Sequence, residues 1–291
     1  SFVGRAGRAA RALTTATSAL ALAAGALSLA PAPAHAADPI TTQEYVSYYG
    51  FDAAHEKGYT GKGITIALID GPVDTNAPEL AGANIVDKSR CTIEASARGK
   101  RHAIDMAAIL VSPYTGVAPD ATLYSYQSSN VDSVSAGSCE TDGKTLDSFG
   151  TLINQAVEDG AQIISISQGA PDKSDELKWA IANAVAHGVI VVASAGNEGK
   201  DENSSHLSKW PGVVGVSAIN TDGTFASYSS WGNGVVTAAV GGPFNTRDPE
   251  TNQPTSGEGT SISTALVAGM LALALQQWPN ATHNQILQSL V

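Results

Sequence analysis

Ile64-Thr65-Ile66-Ala67-Leu68-Ile69-Asp70 is an almost unbroken aliphatic run, set off before by Gly61-Lys62-Gly63 and after by Gly71-Pro72. A strand that is apolar at nearly every position needs both faces covered, which is the habit of parallel sheets enclosed by helices. Runs of the same kind recur at residues 122–126, 162–167 and 189–193, and after them at 213–216 and 235–240. Between them the spacing predicts helices over 102–111, 146–159 and 173–187, the last two ended by Gly160 and Gly188. A long apolar helix is expected over 261–277, stopped by Pro279. Strands alternating with helices require right-handed crossovers, so the expected fold is a doubly wound, mostly parallel α/β sheet flanked by helices. Functional groups in such a sheet gather at the carboxyl ends of the strands. A last helix is expected over 282–290, which leaves the domain open to continue past Val291.

The 291 residues carry 16 Lys+Arg against 27 Asp+Glu, a net charge of −11, and 43% of them are hydrophobic. Such a chain can bury a large core, and without a basic face it is not expected to bind nucleic acid. Arg5, Arg8 and Arg11 precede an apolar stretch over 12–32, and Ala34-His35-Ala36 supplies the small-x-small pattern of a cleavage site. Residues 1–36 therefore read as an export signal, rather than as a membrane helix that Pro31 and Pro33 would cut short. The expected location is secreted, with no membrane span after residue 36. Residues 37–60 read as an N-terminal extension and 61–291 as one domain. In an oxidising compartment Cys91 and Cys139 pair as a disulfide; the other reading is two separate buried thiols.

Four polar residues stand where such a sheet would use them. Asp70 ends its strand ahead of a turn, placed to orient a histidine or simply to initiate the turn. His102 opens the predicted helix, where the dipole would favour a neutral base; its ordinary role there would be a cap. Ser261 follows Gly257-Glu258-Gly259-Thr260 at the start of the long helix, as a nucleophile beside unpaired N–H groups or as a plain N-cap. Asn197, in Ala195-Gly196-Asn197-Glu198-Gly199, is placed to donate to an oxyanion or to fill a turn.

In the order Asp, His, Asn, Ser these segments resemble the subtilisin-like serine proteases, the subtilases. The resemblance extends through Gly116-Val117-Ala118-Pro119, Ser165-Ile166-Ser167-Gln168-Gly169 and Gly259-Thr260-Ser261 with Val267-Ala268-Gly269, nearly the whole chain after residue 36. It implies Ser261 as nucleophile, His102 as general base and then acid, Asp70 as the group holding the imidazole tautomer, and Asn197 in the oxyanion hole. Ser167, Gln168 and Gly169 would pair with a protein or peptide substrate as an added strand. The sequence departs from the family at His102-Ala103-Ile104, where His-Gly-Thr is usual, and at Ser263 and Ala265, where Ala and Pro are usual. Asp70-Gly71-Pro72 is similar to the subtilases that mature ribosomal peptides.

The expected function is thus an exported serine endopeptidase with neither cofactor nor metal. Its alternative is a catalytically weak or inactive subtilase-like binding protein, suggested by the altered neighbours of His102 and the shortness of 37–60 as a folding propeptide. A nucleotide-binding loop is disfavoured because Gly257-x-Gly259 is followed by Ile262 where a third glycine belongs. The carboxylates Asp74, Glu79, Asp201 and Glu202 lack the spacing of a calcium loop and read as solvated surface groups. His55, His187, His206 and His283 read as isolated surface residues. One consequence of Asp105, a turn beyond His102, is a higher imidazole proton affinity if the two side chains approach.

Overall fold

A computed structural model describes residues 37–128, 139–169, 174–201 and 206–290. The expected export signal over 1–36, Glu202 and Val291 lie outside the described residues. The chain enters through two short helices, α1 (Glu44–Tyr49) and α2 (Phe51–Glu56). There follow β1 (Thr65–Asp70), β2 (Ile85–Asp87), α3 (Ala97–Val111), β3 (Thr122–Gln127), the short pair β4 (Glu140–Thr141) and β5 (Lys144–Thr145), α4 (Phe149–Glu158) and β6 (Ile163–Ile166). The second half runs through α5 (Asp175–Ala186), β7 (Ile190–Ser194), β8 (Val213–Ile219), β9 (Val235–Val240), the hairpin β10 (Phe244–Arg247) and β11 (Pro254–Gly257), α6 (Thr260–Gln277) and α7 (His283–Leu287).

Seven strands form one sheet in the order β2-β3-β1-β6-β7-β8-β9, every neighbouring pair parallel. This is the doubly wound α/β fold expected from the strand-helix alternation. The period of two along β1 explains the two layers. Ile66 and Leu68 join the core built with α3 and α6, whereas Ala67 and Ile69 join the core built with α4 and α5. From β1 the chain winds first toward β3 and β2, then toward β6 and beyond, so the carboxyl ends of β1 and β6 flank the switch point where crevices open.

Serine caps start three of the helices: Ser96, Ser148 and Ser174 accept from the N–H groups of Gly99, Thr151 and Leu177. The Ser96 cap places the start of α3 at Ala97, so His102 lies in the second turn rather than at the helix start. The helix expected over 282–290 is instead α7 followed by a 3₁₀ turn, Gln288–Leu290. Helix α6 is long and apolar enough to cross a membrane, contrary to the expectation that nothing after residue 36 would be, but most of it is buried in the core. That burial accounts for an all-round apolar helix without any bilayer.

Cys91 and Cys139 form a disulfide, their Cα atoms 6.3 Å apart, which ties the segment before α3 to the β4–β5 pair. The N-terminal extension is part of the packed structure. Tyr45 and Phe51 are buried in the core, the Tyr49 hydroxyl accepts from the Val240 N–H, and the Gln43 amide exchanges hydrogen bonds of 2.7 and 2.9 Å with the backbone of Asn245.

Candidate active site

Asp70 is the last residue of β1 and is fully buried. Its Oδ1 accepts from the Gly71 N–H at 2.7 Å and lies 2.9 Å from Nδ1 of His102. Gly71 is small for a reason of space: a Cβ there would stand 2.9 Å from the carbonyl oxygen of Gly99 in the first turn of α3. The strand end can therefore press against the helix, and that contact brings the carboxylate to the imidazole. Oδ2 of Asp70 has no hydrogen-bond partner among the described residues.

The His102 side chain keeps 28% of its surface exposed, so part of the ring is open to solvent. Burial lowers its proton affinity, but the charge and hydrogen bond of Asp70, with a further contribution from Asp105, outweigh this against the opposing Arg98, and the pKa is raised above its ordinary value. The expected influence of Asp105 is therefore present. The helix-dipole contribution expected for a histidine at the start of a helix is not available at the sixth residue of α3, because the dipole acts within the first turn.

Leu68 of β1 is in register with Ser165 of β6, so continuing the register puts Ser167 beside Asp70 at adjacent carboxyl ends. Ser167 holds the nucleophile candidate. The Ser261 hydroxyl donates to the Ser167 carbonyl and the Ser167 hydroxyl donates to the Ser261 carbonyl, both at 3.0 Å. Ser261 is the second residue of α6, and its N–H has no hydrogen-bond partner among the described residues. Likewise, no hydrogen bond joins Ser261 to His102; the hydroxyl is turned toward Ser167.

Asn197 follows β7 and is fixed from one side only. Its Oδ1 accepts from the Thr260 N–H at 2.8 Å and from the Thr260 hydroxyl at 3.0 Å. This fixes the orientation of the amide and leaves Nδ2 without a partner among the described residues, next to the helix start that carries Ser261. Gly196 before it has φ +101°, a left-handed conformation that glycine adopts without strain. Of the segment expected to meet substrate, Ser167 and Gln168 are buried and Gly169 is exposed; both polar atoms of the Gln168 side chain lack a partner among the described residues.

Two groups read as surface residues are not. Glu79 is 2% exposed and accepts from Nε of Arg247 at 2.9 Å, because a buried carboxylate needs a charged partner. Only 13% of the His206 side chain is exposed, its Nε2 lying 3.5 Å from Glu198 Oε2; burial lowers its pKa although Glu198 pulls the other way. Among the described residues no group of His, Cys, Asp or Glu side chains is arranged to hold a metal ion.

The Subtilase family profile matches residues 61–291. Subtilisin from Bacillus pumilus is 31% identical over 245 residues, covering 80% of this chain and 84% of its own length. Subtilisin E from Bacillus subtilis (strain 168) is 32% identical over 245 residues and 80% of this chain, which spans 61% of that protein's length. Among solved structures, the prenylagaramide maturation protease PagA superposes with a TM-score of 0.63 at 26% identity, over 78% of this chain and 81% of its own. The self-cleaved protease domain of PatA gives 0.62 at 25%, over 79% of this chain and 86% of its own. The strand-end aspartate, the histidine bonded to it and the serine at the head of the long helix thus sit in a chain that belongs to the subtilase family.

Proposed function

We propose that the protein is an exported serine endopeptidase that cuts peptide bonds with Ser261, His102 and Asp70. The observation that carries this reading is the 2.9 Å contact between Asp70 Oδ1 and His102 Nδ1. A carboxylate that accepts from Nδ1–H leaves Nε2 as the basic nitrogen, the tautomer a general base requires. The Ser261 hydroxyl would leave the Ser167 carbonyl by rotating about its Cα–Cβ bond and donate to Nε2 instead. This exchanges one hydrogen bond for another, and such bonds tighten when substrate is present. As Oγ attacks the scissile carbonyl, its proton passes to Nε2 and is later delivered to the departing amine. The carbonyl oxygen, now negative, would accept from the Ser261 N–H and from Nδ2 of Asn197, which Thr260 already orients.

Substrate backbone would lie along 167–169 as an added strand. The maturation proteases among the similar structures suggest, as part of this proposal, a narrow choice of peptide. Export rests on the character of 1–36. A second reading, a weak or inactive binding protein, is favoured by one observation: the Ser261 hydroxyl bonds Ser167 rather than His102.

Cleavage of casein by the wild-type chain and by Ser261→Ala tests the proposal. Fragments from the wild type alone are expected. Equal cleavage by the two proteins would remove Ser261 from the mechanism. Silence from both, with circular dichroism showing folded protein, would turn the choice to fluorophosphonate labelling: a labelled serine marks a selective protease, an unlabelled one the binding protein.

A further inference from the structure

Helix α3 presents a second carboxylate one turn after His102. Asp105 is 8% exposed and both of its oxygens are used. Oδ1 accepts from Nε of Arg101 at 2.7 Å and from a second nitrogen of the same guanidinium, while Oδ2 accepts from the Thr246 hydroxyl at 2.6 Å. Thr246 lies on β10, 141 residues further along the chain. Its neighbour Arg247 donates to Glu79, and the other Glu79 oxygen lies 3.8 Å from the Arg101 guanidinium. Two acids and two arginines thus close a buried, charge-balanced ring that spans α3, the turn Pro78–Leu80 and the hairpin.

The hairpin leads to the nucleophile. Phe244 pairs with Gly257, and the base is closed by the Gly259 N–H donating to the Gly241 carbonyl at 2.8 Å, two residues before Ser261. One end of the ring therefore holds the helix bearing the base and the other holds the segment bearing the nucleophile. Removing the Thr246 hydroxyl would leave a buried Asp105 oxygen without a donor, which the surroundings must relieve by moving.

Resting on the protease reading above, we propose that Asp105 is a positioning residue: through Thr246 and Arg101 it locks the helix that carries His102 to the hairpin that delivers Ser261. Its charge adds a second effect. Together with Asp70 on β1, and against Arg98 on α3, it favours the protonated imidazole, so neutralising it moves the basic form of His102 to lower pH.

The test is the rate of labelling of Ser261 by a fluorophosphonate as a function of pH, in the full chain and in variants shown by circular dichroism to be folded. Thr246→Val is expected to slow labelling about tenfold across the profile, as a small misplacement of reacting groups does, and Thr246→Ser to restore it to within about threefold. Asp105→Asn is expected to shift the acid limb to lower pH. Wild-type-like labelling of Thr246→Val, equal slowing by valine and serine, or an unmoved acid limb in Asp105→Asn would overturn the positioning role while leaving the triad standing. A folded wild type that takes no label would overturn the protease reading, and this one with it.

Discussion

Asp70, His102 and Ser261, the proposed triad, stand in three different surroundings. In the proposed mechanism the buried carboxylate holds the ring, the half-buried imidazole moves the proton, and the helix-start serine attacks beside its own N–H, which has no partner among the described residues. Replacing Ser261 or His102 by alanine is expected to reduce kcat by about 10⁶-fold, the size known for the same replacements in subtilisin itself. Asn197→Ala is expected to lose about 10²- to 10³-fold in kcat with little change in KM, again the loss known for subtilisin's own side-chain oxyanion donor. Loss mainly in KM would place Asn197 in ground-state binding. Because the His102 pKa is raised, activity should climb with pH through a midpoint above about 6.5. The raised value also adds stability that is fully present below the unfolded pKa of about 6.5 and is lost as pH rises through the folded one. Activity and this part of the stability should thus run in opposite directions, which a pH series of initial rates and of Tm values would show. Asp70, Asn197 and Ser261 were legible in the sequence because each stands beside or one residue from glycine at a strand or helix end, whereas His102 was legible from the apolar run that follows it and from the family resemblance. Asp105 bound to Thr246 was not, since a contact across 141 residues leaves no local pattern.

Among the elements, strands buried on both faces announced themselves as aliphatic runs, and β1, β3, β6 and β7 lie within a residue or so of where the pattern put them. The start of α3 was missed because its first turn, Ala97-Arg98-Gly99-Lys100-Arg101, is charged and carries no apolar period; the Ser96 cap was the available signal. The hairpin of β10 and β11 was missed for a similar reason: Phe-Asn-Thr-Arg and Pro-Thr-Ser-Gly do not alternate, and their order comes from Glu79, Asp105 and Gln43 reaching in from elsewhere. At this scale Gly71→Ala should push β1 away from α3, costing about 1–3 kcal/mol of stability and loosening the Asp70–His102 contact. A urea melt reads the first effect and the labelling rate the second; wild-type values in both would show that the close approach is unimportant. The disulfide closes a sequence separation of 48 residues, for which loop closure gives about 4 kcal/mol, so Cys91→Ser with Cys139→Ser should lower Tm clearly in a thermal melt.

At the scale of the whole molecule, the sheet binds together segments that sequence would separate. The extension over 37–60 precedes the part matched by the family, yet Tyr45 and Phe51 are buried in the core, and Arg247 donates to the Asp38 carbonyl. Each such aromatic contributes about 1.5–3 kcal/mol by burial, so a chain starting at residue 61 should melt well below the full chain or fail to fold. An unchanged melting temperature would show the extension to be an ornament. The acidic balance, −11 overall, accords with the proposed exported protease.

The central claim is that Ser261 is a nucleophile activated by His102. Mass spectrometry of the folded chain after exposure to a fluorophosphonate tests it most directly. A single adduct on Ser261 is expected in the wild type, and none in His102→Ala over the same time. An unlabelled wild type, or labelling that survives the loss of His102, would contradict it.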